Sequence, residues 1–298
     1  MKRIWVFLRF SALIVLVTAC GNRAVERPHD TPTSGTIDIA VDESLLPMID
    51  AEVKAFEAIY RQAQITVHAV PEAEAIRLLL IDSVRLVVLS RDLNDQEKQH
   101  IRDQKITPHN QVVAKESIAV ILHPAANDST FTRAELDSLL SGISNYRIVF
   151  DHANSGIVRF VKDSLLPGKE LSSSAYALKS SEAVIDYVSQ QKDAVGLIGG
   201  SWISDRDDAT VNKFLGSIKV AAIGHNGEFY QPYQAYVARK LYPLTRNIVM
   251  CIREPGSGLG SGFIAFVAGD KGQRVILKSG LVPVTMPVRI VEISHEPL

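Results

Sequence analysis

Short apolar runs alternate along this chain with segments in which apolar residues recur every three or four positions. A strand, a covering helix and a second strand in that order build parallel pairs with helices on their faces, so the pattern predicts an α/β fold with mostly parallel sheets. Residues 36–41 read as the first strand, and Leu46, Ile49, Val53, Phe56 and Ile59 follow at helical spacing with Ser44 as the cap. Residues 64–69 (strand), Glu72–Leu80 (helix), Leu86–Leu89 (strand) and 94–105 (charged helix) continue the series. Two strands are predicted around Val112-Val113 and over 118–122. Thr132 and Glu135 form a capping box ahead of Leu136, Leu139 and Leu140. Arg147–Phe150 (strand), 155–165 and 180–190 (helices) and 194–198 (strand) make a second series. An irregular, aromatic stretch precedes a strand over 247–252, a Gly-rich loop, a helix from 263 running to 278, and a last strand over 288–293.

The N-terminus reads as an address. Lys2 and Arg3 precede a short apolar stretch, and small residues surround Cys20. Such a start marks an export signal over residues 1–19. Arg9 interrupts the apolar stretch, leaving it far short of a bilayer span. Residues 17–20 resemble a bacterial lipobox, which implies diacylation of Cys20, and two acyl chains suffice for stable anchoring. Residues 20–35 are polar and rich in Pro, Thr and Ser, the composition of a flexible tether.

Charge narrows the partners. Residues 1–19 hold three of the 32 basic residues and none of the 33 acidic ones, so the exported part is net acidic. That argues against nucleic acid, whose binders carry a basic face. With Cys20 lipidated, Cys251 is the other of the two cysteines and sits in the apolar run Ile248-Val249-Met250-Cys251-Ile252, as a core residue rather than a nucleophile.

Ligand sites of parallel sheets lie beyond the carboxyl ends of the strands. Three such loops carry anion chemistry. Asp42-Glu43-Ser44-Leu45 offers amides and a hydroxyl at a helix start, with Ser44 equally readable as a plain cap. Ser90-Arg91-Asp92 combines a hydroxyl, a guanidinium and a carboxylate, or forms a solvated turn. In Asp151-His152-Ala153-Asn154-Ser155-Gly156-Ile157-Val158-Arg159, Asn154 or Ser155 caps a helix, Gly156 admits a ligand to the backbone, and Arg159 follows one turn on. The segment 256–262 superficially resembles a dinucleotide fingerprint, but only 36 residues follow it, and tight helix–sheet packing is the simpler role. The eight histidines show no metal-ligand spacing, and no Gly-x-Ser-x-Gly elbow supports a hydrolase built on Ser155. No cofactor and no metal are implied.

Together these loops, with Tyr242-Pro243-Leu244-Thr245-Arg246 before a strand and Gly272-Gln273-Arg274 leading to Leu281-Val282-Pro283, make residues 36–293 resemble the substrate-binding lipoproteins of bacterial phosphate ABC transporters, which are two-lobed class II periplasmic binding proteins. The resemblance implies a first lobe of residues 36–115 and 248–298, a second of 116–247, a two-stranded hinge, and an oxyanion between the lobes. It carries phosphate-binding roles to Ser44 and Leu45, and to Ser155 and Gly156 with the backbone of Ile157. Four positions depart from the family's pattern: Ile157 replaces a threonine, Asp151 an arginine, Ser90 the aspartate that accepts the ligand's proton, and Glu72 or Glu74 a hydroxyl donor. Arg159, Arg91 or another basic side chain would then neutralise the ion, and Asp92 lies near Ser90 as an acceptor. Two carboxylates facing an anion repel it strongly once desolvated, so Glu72 and Glu74 are expected to point away, unless the ligand is not simple phosphate.

The leading expectation is a lipid-anchored protein of the periplasm or cell envelope that captures phosphate or a related oxyanion for an ABC transporter permease. The alternative is a binding-fold lipoprotein without transport, acting as a sensor, assembly or surface-interaction protein. An exported hydrolase is the remote third.

Overall fold

The computed structural model describes residues 30–144 and 146–286. The export segment, Cys20 and the predicted strand over 288–293 lie outside these residues. The first strand, β1 (Ser34–Asp42), pairs in parallel with β2 (Gln62–Val70) and β3 (Leu86–Leu89) on either side. Helices α1 (Leu46–Ile59) and α2 (Glu72–Leu80) make the crossovers. Because strand side chains alternate, Ile37, Ile39 and Val41 pack with Met48, Ile49, Val53 and Phe56 of α1, while Ala40 faces Ala75, Ile76 and Leu79 of α2. Covering both faces explains why the end of β1 is buried throughout.

Helix α3 (Asp95–Asp103) starts on an Asn94–Glu97 capping box and leads into β4 (His109–Leu122). This fourteen-residue strand replaces the two predicted ones. Residues 109–117 pair antiparallel with β12 (Thr245–Ile252), and residues 118–122 with β8 (Ala194–Gly199). Lys115 and Glu116 break the apolar run in the sequence, but Glu116 lies in register with Arg246 and the ladder continues through both.

Beyond β4 the chain forms β5 (Thr130–Thr132), α4 (Arg133–Leu140) behind the expected Thr132–Glu135 box, β6 (Arg147–Phe150), α5 (Gly156–Phe160) prolonged by a π turn over Val161–Leu165, β7 (Tyr176–Ala177), α6 (Ser181–Gln190) and β8. β6 pairs in parallel with β7 and β8. The aromatic stretch holds α7 (Ser201–Ser204), α8 (Ala209–Ser217), β9 (Lys219–Val220), β10 (Ala222–His225), β11 (Glu228–Tyr230) and α9 (Gln234–Ala238), with β10 completing a small sheet between β5 and β11. After β12 come α10 (Leu259–Ala268), α11 (Asp270–Lys278) and β13 (Val282–Pro283); the single helix predicted here divides at Gly269.

The outcome is an α/β fold in two lobes, with parallel pairs within each lobe and antiparallel pairing along the crossing strands, so the sheet as a whole is mixed. The hydrophobic cores separate accordingly: two clusters draw on residues 37–114 and 248–281, and two on residues 118–244 and Val282. Cys251 is buried in the first lobe's core, and burial pushes its thiol up to about 12. Among the described residues no helix is long and apolar enough to cross a membrane.

Candidate functional site

The polar seam between the lobes is built from strand ends. β1 stops at Asp42, whose carboxyl accepts from the Ser44 amide (3.2 Å) and hydroxyl (3.0 Å) and so caps the 3-10 turn Glu43–Leu45. The cap is Asp42, not Ser44 as the sequence suggested. The second Asp42 oxygen accepts from the Gly156 amide of the other lobe at 2.9 Å. Ser155, rather than Asn154, caps α5, through Val158 N–H, and leaves that Gly156 amide free to cross the seam. Asn154 is exposed, and its carbonyl accepts from the Ala73 amide.

Glu72 supplies the second crossing. It opens α2 in phase with Ala75, Ile76 and Leu79, so its side chain is buried, whereas Glu74 points out and pairs with Arg77. The expectation that both acids turn away fails for Glu72. Its carboxyl accepts from the Ser90 amide (2.9 Å) and hydroxyl (2.6 Å), and from Arg159 Nε of the other lobe (2.5 Å). Arg159 also donates to the Ser90 hydroxyl at 2.8 Å. Burial pushes Glu72 up, but Arg159 and the Ser90 donors outweigh it and hold the carboxyl below its ordinary range.

Glu43 makes the third crossing. Both of its oxygens accept from the Ser181 amide at the start of α6, and one also from the Ser181 hydroxyl (2.8 Å). Burial is the main reason its carboxyl titrates above its ordinary range.

The crossing strands add a buried ion pair. Arg246 and Glu116 lie opposite each other on β12 and β4, with Arg246 Nε and one terminal nitrogen on a single Glu116 oxygen at 3.0 and 2.8 Å. That terminal nitrogen also donates to the Ser44 hydroxyl (2.8 Å), and the other Glu116 oxygen accepts from the Ser201 amide (2.9 Å). Gly199 is required beside it: a Cβ there would stand 2.2 Å from the Ser44 carbonyl oxygen. Behind Asp42 lies Asp151, fully buried, with neither oxygen in a hydrogen bond of standard geometry. Burial dominates both aspartates, lifting Asp42 to about 7 and Asp151 to about 6; Asp151 and Glu72 add to the rise at Asp42, against Arg246. Ser155 and the His152 amide temper the rise at Asp151.

Of the residues predicted for an anion site, Ser44, Ser90, Ser155, Gly156 and Arg159 converge here. Leu45 and Ile157 are buried in the cores of the first and second lobes. Arg91 is spent on Glu97, reaching Glu72 only at 3.9 Å, and Asp92 turns to Lys98 and the Leu93 amide. Neither therefore serves as the cation or the proton acceptor of a bound ion in this arrangement. Asp42, Glu43, Glu72, Glu116, Arg246 and Ser181 were not singled out as site residues. The signal was present for two: Glu72 shares a helical face with Ile76 and Leu79, and Arg246 shares a strand face with Ile248 and Met250.

The seam is full. A Cβ on Gly156 would lie 2.3 Å from both Asp42 Oδ2 and Ser90 Oγ, and 2.9 Å from Glu72 Oε2. Cavities of about 360 and 370 Å³ lie around Leu215 and Tyr233 and around Phe131 and Ile143, and one of about 310 Å³ opens between the lobes beside α1, α7 and α8, around Met48, Trp202 and Phe214, away from Gly156. The acids are not arranged for a cation either: no group of three or more His, Cys, Asp or Glu among the described residues converges enough to hold a metal ion. The Gly-rich loop before α10 is likewise filled from within, since Glu254 accepts from the Gly258, Gly260 and Ser261 amides and the Ser261 hydroxyl. Ser155 spends its oxygen on the α5 cap, and its amide donates to the His152 carbonyl.

Comparison with known proteins places this geometry in a family. A family model described as a PBP superfamily domain matches residues 27–271. No curated protein matches the chain. Among solved structures, a protein of Clostridium perfringens described as a phosphate ABC transporter substrate-binding protein, with bound phosphate, aligns with a TM-score of 0.72 at 19% identity over 84% of this chain and 100% of that one. An ABC-type phosphate transport receptor of Vibrio cholerae aligns with 0.62 at 18% identity over 84% and 100%. The regulatory domain of a LysR family regulator from N. meningitidis aligns with 0.54 at 13% identity over the same shares. At these identities the likeness is one of fold.

Proposed function

The chain belongs to the PBP superfamily, and from that premise we propose that it acts outside the cytoplasmic membrane as a lipid-anchored binding-fold protein whose cleft closes on its own carboxyl groups instead of a captured ion. The observation that carries this reading is the Asp42 carboxyl on the Gly156 amide, at 2.9 Å across the seam. Glu72 on Arg159 and Glu43 on Ser181 repeat the same chemistry on either side. Each is an acid of the first lobe taking the donor of the second that an oxyanion would need. An incoming phosphate must displace these groups and then sit among the carboxyls of Asp42, Glu72 and Asp151, a repulsion that low dielectric enlarges. The closed face is thus presented whether or not solute is bound, which suits a sensor, assembly or surface-interaction protein held at the membrane through Cys20.

A second reading, capture of phosphate or a related oxyanion for an ABC transporter permease, is favoured by the donors that survive: Ser44, Ser90, the Gly156 amide and Arg159. A thermal melt separates the two. A ligand at about 100 times its Kd stabilises the native state by about 2.7 kcal/mol. The first reading expects no shift with millimolar phosphate, sulfate, arsenate, molybdate or tungstate at pH 7.5; a rise of several degrees with any of them establishes the second.

A further inference from the structure

The three seam acids are not equivalent. Glu43 reaches a separate helix start at Ser181, while Asp42 and Glu72 meet on the two sides of Gly156, both within 3.0 Å of where its Cβ would stand. Between them they occupy seven donors: the amides of Gly156, Ser44 and Ser90, the Ser44 and Ser90 hydroxyls, and Arg159 Nε and Nη2. Those donors come from both lobes and include one guanidinium, which is the inventory a tetrahedral oxyanion requires. The Arg246 Nη1 atom is buried beside the same cluster with no hydrogen-bond partner among the described residues, so a further cationic donor is in reserve.

We propose that Glu72, assisted by Asp42, is the specificity-determining residue of this cleft: an internal ligand whose removal turns the seam into a site for inorganic sulfate or phosphate. This rests on the reading of the cleft as self-filled. Occupancy by itself explains the exclusion, because the Glu72 carboxyl accepts from Ser90 and Arg159 while one of its oxygens lies 2.9 Å from where a Gly156 Cβ would stand. Replacing Glu72 with alanine deletes four heavy atoms at that point, close to the five of a sulfate or phosphate. Asp42→Asn then removes a second charge beside the vacated space while an amide oxygen still accepts from Ser44. Glu72→Gln is the discriminating control, since it removes charge but leaves the seat occupied.

The test is sulfate and phosphate binding by the exported, mature chain at pH 7.5, read by equilibrium dialysis and thermal melting. Glu72→Ala and Glu72→Ala/Asp42→Asn are expected to bind sulfate saturably, at least tenfold more tightly than wild type, with a melting temperature that rises on adding it. Wild type and Glu72→Gln are expected to be indifferent. If the double variant does not fold, the single variant decides. A cooperatively melting Glu72→Ala protein that ignores both ions, beside an indifferent wild type, overturns the inference alone, as does a Glu72→Gln variant that binds as well as the alanine one. Saturable phosphate binding by wild type overturns the underlying reading instead.

Discussion

Gly156→Ala puts the smallest possible wedge into the seam. In an open, solvent-filled cleft the added methyl is harmless, and alanine in place of glycine near a helix start gains up to about 1 kcal/mol of propensity. Gly156 carries no left-handed backbone angle that would penalise alanine. In the structure, however, the new carbon would stand 2.3 Å from Asp42 Oδ2 and Ser90 Oγ and 2.9 Å from Glu72 Oε2. None of these atoms yields cheaply, because Ser44 holds Asp42 and Arg159 holds both Ser90 and Glu72. Overpacking costs about 1–3 kcal/mol, and loss of the Gly156–Asp42 hydrogen bond to a charged acceptor about 1.5–3 kcal/mol. Set against the propensity gain, the expected net loss is roughly 1.5–6 kcal/mol. Each kcal/mol moves the melting temperature of a large domain by about 2–4 °C, so scanning calorimetry is expected to register a drop of at least ~3 °C. A variant melting at or above the wild-type temperature refutes the claim that the seam is filled.

Two other predictions concern groups away from the seam. Glu52 is fully buried on α1 with neither oxygen hydrogen-bonded among the described residues, and burial lifts it to about 9. Native protein therefore keeps a proton that the unfolded chain releases near 4.5, and stability falls as pH rises between those values. At pH 7 the cost is roughly 3 kcal/mol, so Glu52→Met is expected to raise the urea midpoint at pH 7 and lose most of that advantage by pH 5; a pH-independent gain contradicts this. Cys20→Ala is expected to abolish metabolic labelling with a fatty acid and to release the exported protein from the membrane fraction, whereas unchanged sedimentation and labelling argue against the anchor.

Much of the scaffold was legible because local pattern and tertiary burial agree. Glu72–Leu80 and Leu86–Leu89 match the predicted bounds, since Pro71 fixes the entry to α2 and Leu86–Leu89 is an unbroken apolar run covered on both faces. The crossing strand was not legible as one element: Lys115 and Glu116 read as an interruption, and only the cross-strand partner Arg246, well over a hundred residues away, makes a buried Glu116 tolerable. The same limit applies to the site. Ser44, Ser90 and Ser155 lie in post-strand loops and Gly156 and Arg159 in the first turns of the helix that follows, where anion donors belong, and they do meet. What the residues alone did not reveal is that Glu72 and Asp42 spend those donors internally: repulsion from an assumed ion argued for turning Glu72 outward, and nothing in the sequence pointed Asp42 across the seam. With no ion assumed, the helical phase of Glu72 already places it on the buried face.

Small-angle X-ray scattering on exhaustively dialysed mature protein, with and without phosphate at pH 7.5, reports most directly whether the lobes meet without solute. The self-filled cleft requires a single curve that fits the closed structure and does not change when phosphate is added. An extended curve that contracts on adding phosphate means the ion, not Asp42 and Glu72, draws the halves together.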